Sequence, residues 1–241
     1  MRAWRKVLAD KLARLPQRPQ TPDEELVAGT ISEINDATRV ERMAAELSMG
    51  FAALAGVRRA VSVFGSARTP PGTPAYDLAR EVGRRLGEAG FAVITGGGPG
   101  TMEAAHHGAH DAGAQSIALN IDLPFEQTVD KWTDISLDFH YFFCRKVMFV
   151  RYASAFVVLP GGFGTLDEMF EALCLIQTNK IRSFPVILVG IEYWSGLVEW
   201  LREAALHEGM IDASDIELMP VTDDLDWVVE RVMRAAAEQR G

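Results

Sequence analysis

The tract Pro160-Gly161-Gly162-Phe163-Gly164-Thr165-Leu166-Asp167-Glu168 places flexible backbone, a hydroxyl and a carboxylate side by side. It follows the apolar run 155–159 and leads into a helical pattern, so it joins a strand to a helix. Gly161, Gly162 and Gly164 leave amide N–H groups free to face an anion, and the unpaired N–H groups that open a helix carry partial positive charge. Thr165 adds a hydroxyl donor. The chemistry this suits is phosphate binding, with Glu168 one turn into the helix and close to whatever the loop holds. No Lys-Ser or Lys-Thr pair follows the glycines, which excludes a Walker-type loop. Taken alone, such a turn is equally a tight connection between two elements.

A second glycine turn strengthens the case for a site. The run 91–95 reads as a buried parallel strand and empties into Gly96-Gly97-Gly98-Pro99-Gly100-Thr101-Met102-Glu103 before an alanine-rich helix. Two strand–glycine–helix units in one sheet put both turns at carboxyl ends of strands, where open α/β sheets collect ligands. Gly97, Gly98, Gly100 and Thr101 are therefore binding candidates, and Met102 either contacts a base or fills core. The spacing departs from the dinucleotide fingerprint, so a mononucleotide ranks above NAD. Ser66 and Arg68 stand after the first strand, at a third such end. Glu171 lies three positions beyond Glu168 on the same helix side, where it suits a ribose hydroxyl, whereas Asp167 points away and reads as surface. Arg145 belongs to an aromatic-rich helical stretch, where it either serves a site or faces solvent. His106, His107 and His110 share a helix but lack a carboxylate or cysteine cluster, and read as exposed residues, with no metal site expected.

The elements that must position these groups follow from periodicity. Strands are expected at about 60–65, 91–95, 116–120, 133–137, 155–159 and 185–190, with helices between most of them. That alternation implies an α/β fold with a mainly parallel sheet. Residues 21–54 carry a helical pattern whose apolar side (Ile31, Ile34, Val40, Met43, Leu47, Phe51) suits the sheet or a partner subunit. Residues 193–207 and 225–239 read as amphipathic closing helices. The expected division is a basic tail and helical extension over 1–56 and a nucleotide-binding domain over 57–241.

Composition bounds the function. A chain of 241 residues, 48% hydrophobic and 24% charged, can bury a sizeable core. Its net charge of −9 disfavours nucleic acid and anionic membranes as partners, so an anionic substrate must be held by local amides and cations against the overall field. The two cysteines, Cys144 and Cys174, fall in apolar helical patterns and are expected as buried, reduced thiols of a cytoplasmic protein. Residues 1–19 are basic without a continuous apolar stretch, which argues against a secretory signal, and no apolar run reaches transmembrane length.

Across Val61 to Gly190 the chain resembles the LOG-type proteins, often mislabelled "lysine decarboxylase". The turn from Gly96 to Met102, the pair Arg145-Lys146 and the tract from Pro160 to Glu168 carry the resemblance, and the extension ahead of them is similar to the longer bacterial members. The resemblance implies a Rossmann-like, doubly wound sheet with helices on both faces and an N-terminal helical extension. It also implies a homodimer, no cofactor, and hydrolysis of the N-glycosidic bond of a purine nucleoside 5′-monophosphate to free base and ribose 5-phosphate. AMP and N6-substituted cytokinin nucleotides are the substrates it suggests. The family's catalytic arginine and glutamate fall on Arg145 and Glu168, with Lys146 among the substrate-binding positions.

The residue types suit that chemistry. Breaking the bond leaves an oxocarbenium-like sugar, which a nearby carboxylate stabilises while orienting water. Glu168 is expected ionised, because the first turn of a helix favours negative charge. Arg145, a poor proton donor, is expected to position substrate and stabilise charge. Related Rossmann-like proteins include molybdenum-cofactor carriers, so a non-catalytic binding protein is the alternative; binding alone does not require Glu168. An amino-acid decarboxylase would need pyridoxal phosphate on a lysine, and Lys131, Lys146 and Lys180, the only lysines beyond residue 11, lack that context.

Overall fold

Seven strands form one sheet in the computed structural model, which describes residues 35–122, 131–182 and 184–239. They are β1 (Ala60–Phe64), β2 (Ala92–Thr95), β3 (Ser116–Ile121), β4 (Ile135–Phe139), β5 (Ala153–Val158), β6 (Val186–Val189) and β7 (Val221–Thr222). The order is β4-β3-β2-β1-β5-β6-β7 and every pairing is parallel. The chain winds outward from β1 to β4, then returns to place β5 on the other side of β1. That reversal opens a crevice at the carboxyl ends of β1 and β5, the place where an open parallel sheet accepts a ligand.

Helices cover both faces: α1 (Asp36–Ala53), α2 (Pro74–Glu88), α3 (Thr101–Asp111), α4 (Phe142–Tyr152), α5 (Phe163–Gln177), α6 (Ile191–Trp200), α7 (Ala213–Ile216) and α8 (Leu225–Glu238). A π-helical turn, Leu201–Leu206, prolongs α6. Strand side chains alternate between two cores because their period is two. Along β1, Val61 and Val63 join the core under α2, α3 and α8, which contribute Leu86, Ala105 and Val232. Ala60 and Phe64 join the opposite core with Met148 and Phe149 of α4, Met169 of α5 and Trp194 of α6. Burial on both faces explains why these strands read as continuous apolar runs.

The doubly wound α/β fold agrees with expectation, with three local differences. β4 lies two residues later than its pattern suggested, because Asp134 is drawn off to accept hydrogen bonds from Ser116 N and Oγ at 2.8 and 2.9 Å. β7 is a two-residue edge strand, too short to show periodicity. Cys144 is buried, but Cys174 is exposed because its side of α5 faces outward. Within α1 the N-cap Asn35 accepts from Thr38 N at 2.9 Å. This helix lies against α4, with Gly50 pressed on Met148. Ile31, Ile34 and the basic tail lie outside the described residues.

The α2–α3 contact depends on two glycines. A Cβ on Gly83 would lie 2.0 Å from the Ala105 carbonyl oxygen, and one on Gly108 would lie 1.8 Å from that of Arg80. Alanine gains up to about 1 kcal/mol of helix propensity over glycine. Backbone cannot yield as a flexible side chain can, so overpacking should win: we expect Gly83→Ala to destabilise the fold by about 2 kcal/mol, read as a lowered thermal midpoint. An unchanged or raised midpoint would mean that the helices separate freely.

Candidate active site

Three strand ends are tied together by backbone. Ser66, after β1, donates its N–H to the Pro160 carbonyl at 3.0 Å, and its own carbonyl accepts from Thr101 N at 3.0 Å. The turn between β2 and α3 needs glycine at two positions with left-handed backbone, Gly97 (φ +71°) and Gly100 (φ +72°). A Cβ on Gly97 would lie 1.8 Å from Asn120 Oδ1, and one on Gly100 would lie 2.6 Å from the Ser66 carbonyl oxygen. Thr101 is buried, with its hydroxyl 3.0 Å from that of Thr69. Met102 lies across this turn instead of filling core: a Cβ on Gly98 would meet its Cε at 2.6 Å.

The turn between β5 and α5 is more open than the first. Only Gly161 is crowded, its would-be Cβ 2.2 Å from Thr165 Oγ1, and its carbonyl accepts from Tyr193 Oη at 2.7 Å. Around Gly162 and Gly164 a Cβ would meet nothing within 4 Å. Both are exposed, and no side chain caps α5. The first turn of a helix leaves N–H groups without intrahelical partners, and with no side-chain cap they are free to bind an anion. Phe163, between them, is 91% exposed.

Arg145 of α4 and Glu168 of α5 meet beside these turns. Arg145 Nη2 lies 3.7 Å from Glu168 Oε1, with side chains 13% and 5% exposed. The guanidinium also faces the rings of Phe142 and Phe149, at 5.2 and 5.5 Å from their centroids. Its Nη1 lies 3.7 Å from the Cβ position of Gly96, so it reaches the other glycine turn. Arg145 Nε and Glu168 Oε1 are buried without a hydrogen-bond partner. Buried polar atoms are nearly always satisfied, so this opposed pair is a place prepared for further polar groups.

Burial pushes the Glu168 carboxyl up to about 7, against the opposing pull of Lys146 and Arg145. This corrects the expectation of a fully ionised group held by the helix dipole. Helix α5 begins at Phe163, which leaves Glu168 in the second turn, beyond the strongest part of that field, and neighbouring elements strip its water. Burial lowers the pKa of Arg145, with Glu168 and Asp167 opposing; guanidinium nevertheless stays charged. Lys146 Nζ pairs with Glu171 and, at 2.9 Å, with Asp167. Burial opposes its charge, but hydrogen bonds to Glu171 and Asp167 raise its pKa overall. Asp167 is thus exposed yet engaged.

Other expectations need correction. His106 is fully buried, its Nε2 3.0 Å from Thr95 Oγ1 and its Nδ1 3.1 Å from Thr133 Oγ1. His107 stacks on Trp132 at 4.0 Å. Only His110 of the three is exposed. Arg145 does not face solvent, whereas Arg68 does. Asn120, not singled out by sequence, is the last residue but one of β3, with Oδ1 buried and unpartnered beside Gly97, while Nδ2 donates to Ser136 Oγ and Asp138 Oδ1, each at 2.8 Å. Its signal was a polar residue late in an apolar strand. A cavity of about 820 Å³ lies elsewhere, among Ile191, Val198, Glu199, Ile216 and Met219. Its lining includes none of the buried unsatisfied side chains found among the described residues, so the chemistry points to the glycine turns.

The chain is similar to known proteins in sequence and in fold. Residues 102–232 match the family described as "Possible lysine decarboxylase". A probable cytokinin riboside 5′-monophosphate phosphoribohydrolase of Oryza sativa subsp. japonica is 28% identical over 188 residues, 76% of this chain and 80% of its own length. A second rice protein, named cytokinin riboside 5′-monophosphate phosphoribohydrolase LOG, is 32% identical over 141 residues, 56% of each chain. Among solved structures, the molybdenum cofactor carrier protein of Chlamydomonas reinhardtii aligns over 75% of this chain and 99% of its own, with a TM-score of 0.56 at 22% identity. That likeness shows the fold alone. The family match takes in more than half of the residues, including Arg145, Lys146 and the whole loop from Pro160 to Glu168, and on that ground the chain belongs to the LOG family whose description still reads "Possible lysine decarboxylase".

Proposed function

We propose that the chain hydrolyses the N-glycosidic bond of a purine nucleoside 5′-monophosphate, AMP or an N6-substituted cytokinin nucleotide, to free base and ribose 5-phosphate. The observation that carries this reading is the buried, hydrogen-bond-deficient Arg145–Glu168 pair set beside two glycine turns. Phosphate would occupy the open amides at Gly162 and Gly164, where the start of α5 favours negative charge. The ribose then lies toward Glu168. As the glycosidic bond breaks, positive charge grows on the sugar, and a carboxylate in a dry site stabilises it strongly. A carboxylate with a pKa near neutrality is also basic enough to draw a proton from the attacking water, while the departing base takes its proton from solvent water. Arg145 holds the nucleotide and offsets negative charge. Lys146 and Glu171, tied to each other, are placed to meet ribose or phosphate.

A carrier of nucleotides or molybdenum cofactor would use the same turns. Binding alone does not require the buried carboxylate of Glu168, which favours turnover. We propose further that the protein acts without a cofactor, as a cytoplasmic homodimer. Exposed Phe142, Phe143 and Val147 on α4 and Phe163 on α5 support a subunit contact. Among the described residues no helix is long and apolar enough to cross a membrane.

Incubation with AMP should yield adenine and ribose 5-phosphate, separable by chromatography, while adenosine stays intact. Glu168→Gln should retain AMP binding and lose about 100-fold or more in turnover, as when transition-state charge stabilisation is removed. Turnover at the wild-type rate would exclude this mechanism. Because the carboxylate is the active form and its pKa lies near 7, kcat/KM should rise with pH through that region and then level off. A fall over the same interval would make Glu168 a proton donor.

A stability test needs no substrate. Glu168 has a folded pKa of about 7 against 4.5 unfolded, so between those values the folded chain holds a proton that the unfolded chain releases. Wild-type stability relative to Glu168→Gln should therefore decrease as pH rises from 5 to 8, by at most about 3 kcal/mol. Parallel pH profiles in denaturant unfolding would show that the carboxyl is not desolvated.

A further inference from the structure

Helix α4 carries Arg145 one turn from its start, and its own N-cap residue, Tyr141, supplies no side-chain cap. The capping acceptor comes from α1, outside the glycine-turn machinery. Glu46, only 8% exposed, accepts from His140 N at 3.2 Å and Tyr141 N at 3.3 Å through Oε2, and its Oε1 lies 3.0 Å from His140 Nδ1. The Tyr141 carbonyl in turn accepts from Arg145 N at 3.3 Å. A single residue, Tyr141, thus links the Glu46 carboxylate to the backbone of Arg145. The rest of α1 follows α4 along its length: Cys144 Sγ donates to the Met43 carbonyl at 3.8 Å, and Gly50 allows Met148 to approach so closely that a Cβ would meet its Sδ at 2.7 Å. A charged acceptor on opening N–H groups is among the stronger hydrogen bonds, and it complements the positive end of the helix.

We propose that Glu46 is a positioning residue for Arg145: by capping α4 from α1 it fixes the depth and angle at which the guanidinium faces Glu168. The extension helix then belongs to the working site and is not a separate appendage. Deleting the acceptor would leave two inward-facing N–H groups unbonded, and the first turn of α4 would relax toward other partners. The Arg145 guanidinium has only its 3.7 Å approach to Glu168, and its buried Nε has no hydrogen bond to correct such a shift.

The inference rests on the role assigned to Arg145 above, and the test separates the two. Full-length Glu46→Ala, Glu46→Gln, Arg145→Ala and the Glu46→Ala/Arg145→Ala double variant are compared with wild type for AMP hydrolysis, at a temperature where each is folded. We expect Glu46→Ala to lower kcat about tenfold or more. Glu46→Gln, whose amide oxygen can accept from the same N–H groups, should restore most of it, and the double variant should be no slower than Arg145→Ala. A purely structural role would lower the thermal midpoint and leave kcat and KM of the folded protein at wild-type values, which would overturn the proposal, as would losses that multiply in the double variant. Should Glu46→Ala fail to fold, Glu46→Asp, one methylene short of the amides, is read in the same way.

If wild type releases no base from AMP, the hydrolase reading fails, and the coupling is read directly by modifying arginines with phenylglyoxal and mapping peptides by mass. Faster labelling of Arg145 in Glu46→Ala than in wild type and Glu46→Gln supports the proposal. Equal labelling overturns it.

Discussion

Desolvation of one carboxylate against one guanidinium is the constraint around which the site is organised. Two charges removed from water lose several kcal/mol each, and their attraction recovers this only when geometry and added hydrogen bonds are good. Arg145 and Glu168 have neither: 3.7 Å separates them, and each keeps a buried polar atom unbonded. A stability-driven arrangement would tighten this pair. Left loose, it fails to offset the burial that raises the Glu168 pKa to about 7, and it keeps both groups available to a polar ligand, the usual compromise between stability and activity.

That compromise is held by rigid surroundings. The reversal of strand order beside β1 brings the ends of β2 and β5 to opposite sides of one strand, and Ser66 bonds to both following turns through its backbone. At Gly97 and Gly100 the turn closes so tightly on Asn120 and Ser66 that no side chain fits. Around Gly162 and Gly164 the opposite holds, and the backbone is bare because the space beyond it is empty. Glycine thus does two jobs in one site: close packing within the protein in the first turn, and exposure of amides in the second.

The two catalytic candidates sit on neighbouring helices that share a core, and that core couples chemistry to packing. Met148 and Phe149, one turn beyond Arg145, join Met169, next to Glu168, in the same buried cluster. Phe149 also lies under the guanidinium. A change in how α4 lies on the sheet therefore moves Arg145 relative to Glu168, and α1 is the element that restrains α4 from outside.

Much of this was legible along the chain. Six of the seven strands and both glycine turns follow from apolar runs and punctuation, because backbone preference and hydrophobic period act over a few residues, whereas the family was legible only through the resemblance carried by the motifs at Arg145, Lys146 and Glu168. Spacing also placed Glu171 near Glu168, although its bond to Lys146 is a contact between helices. The protonation of Glu168, the burial of His106, the unpaired Oδ1 of Asn120 and the reach of Glu46 to Tyr141, 95 residues away, depended on tertiary structure. Each of these turns on which distant atoms exclude water from a group or complete its hydrogen bonds, and that is decided only when separate elements pack.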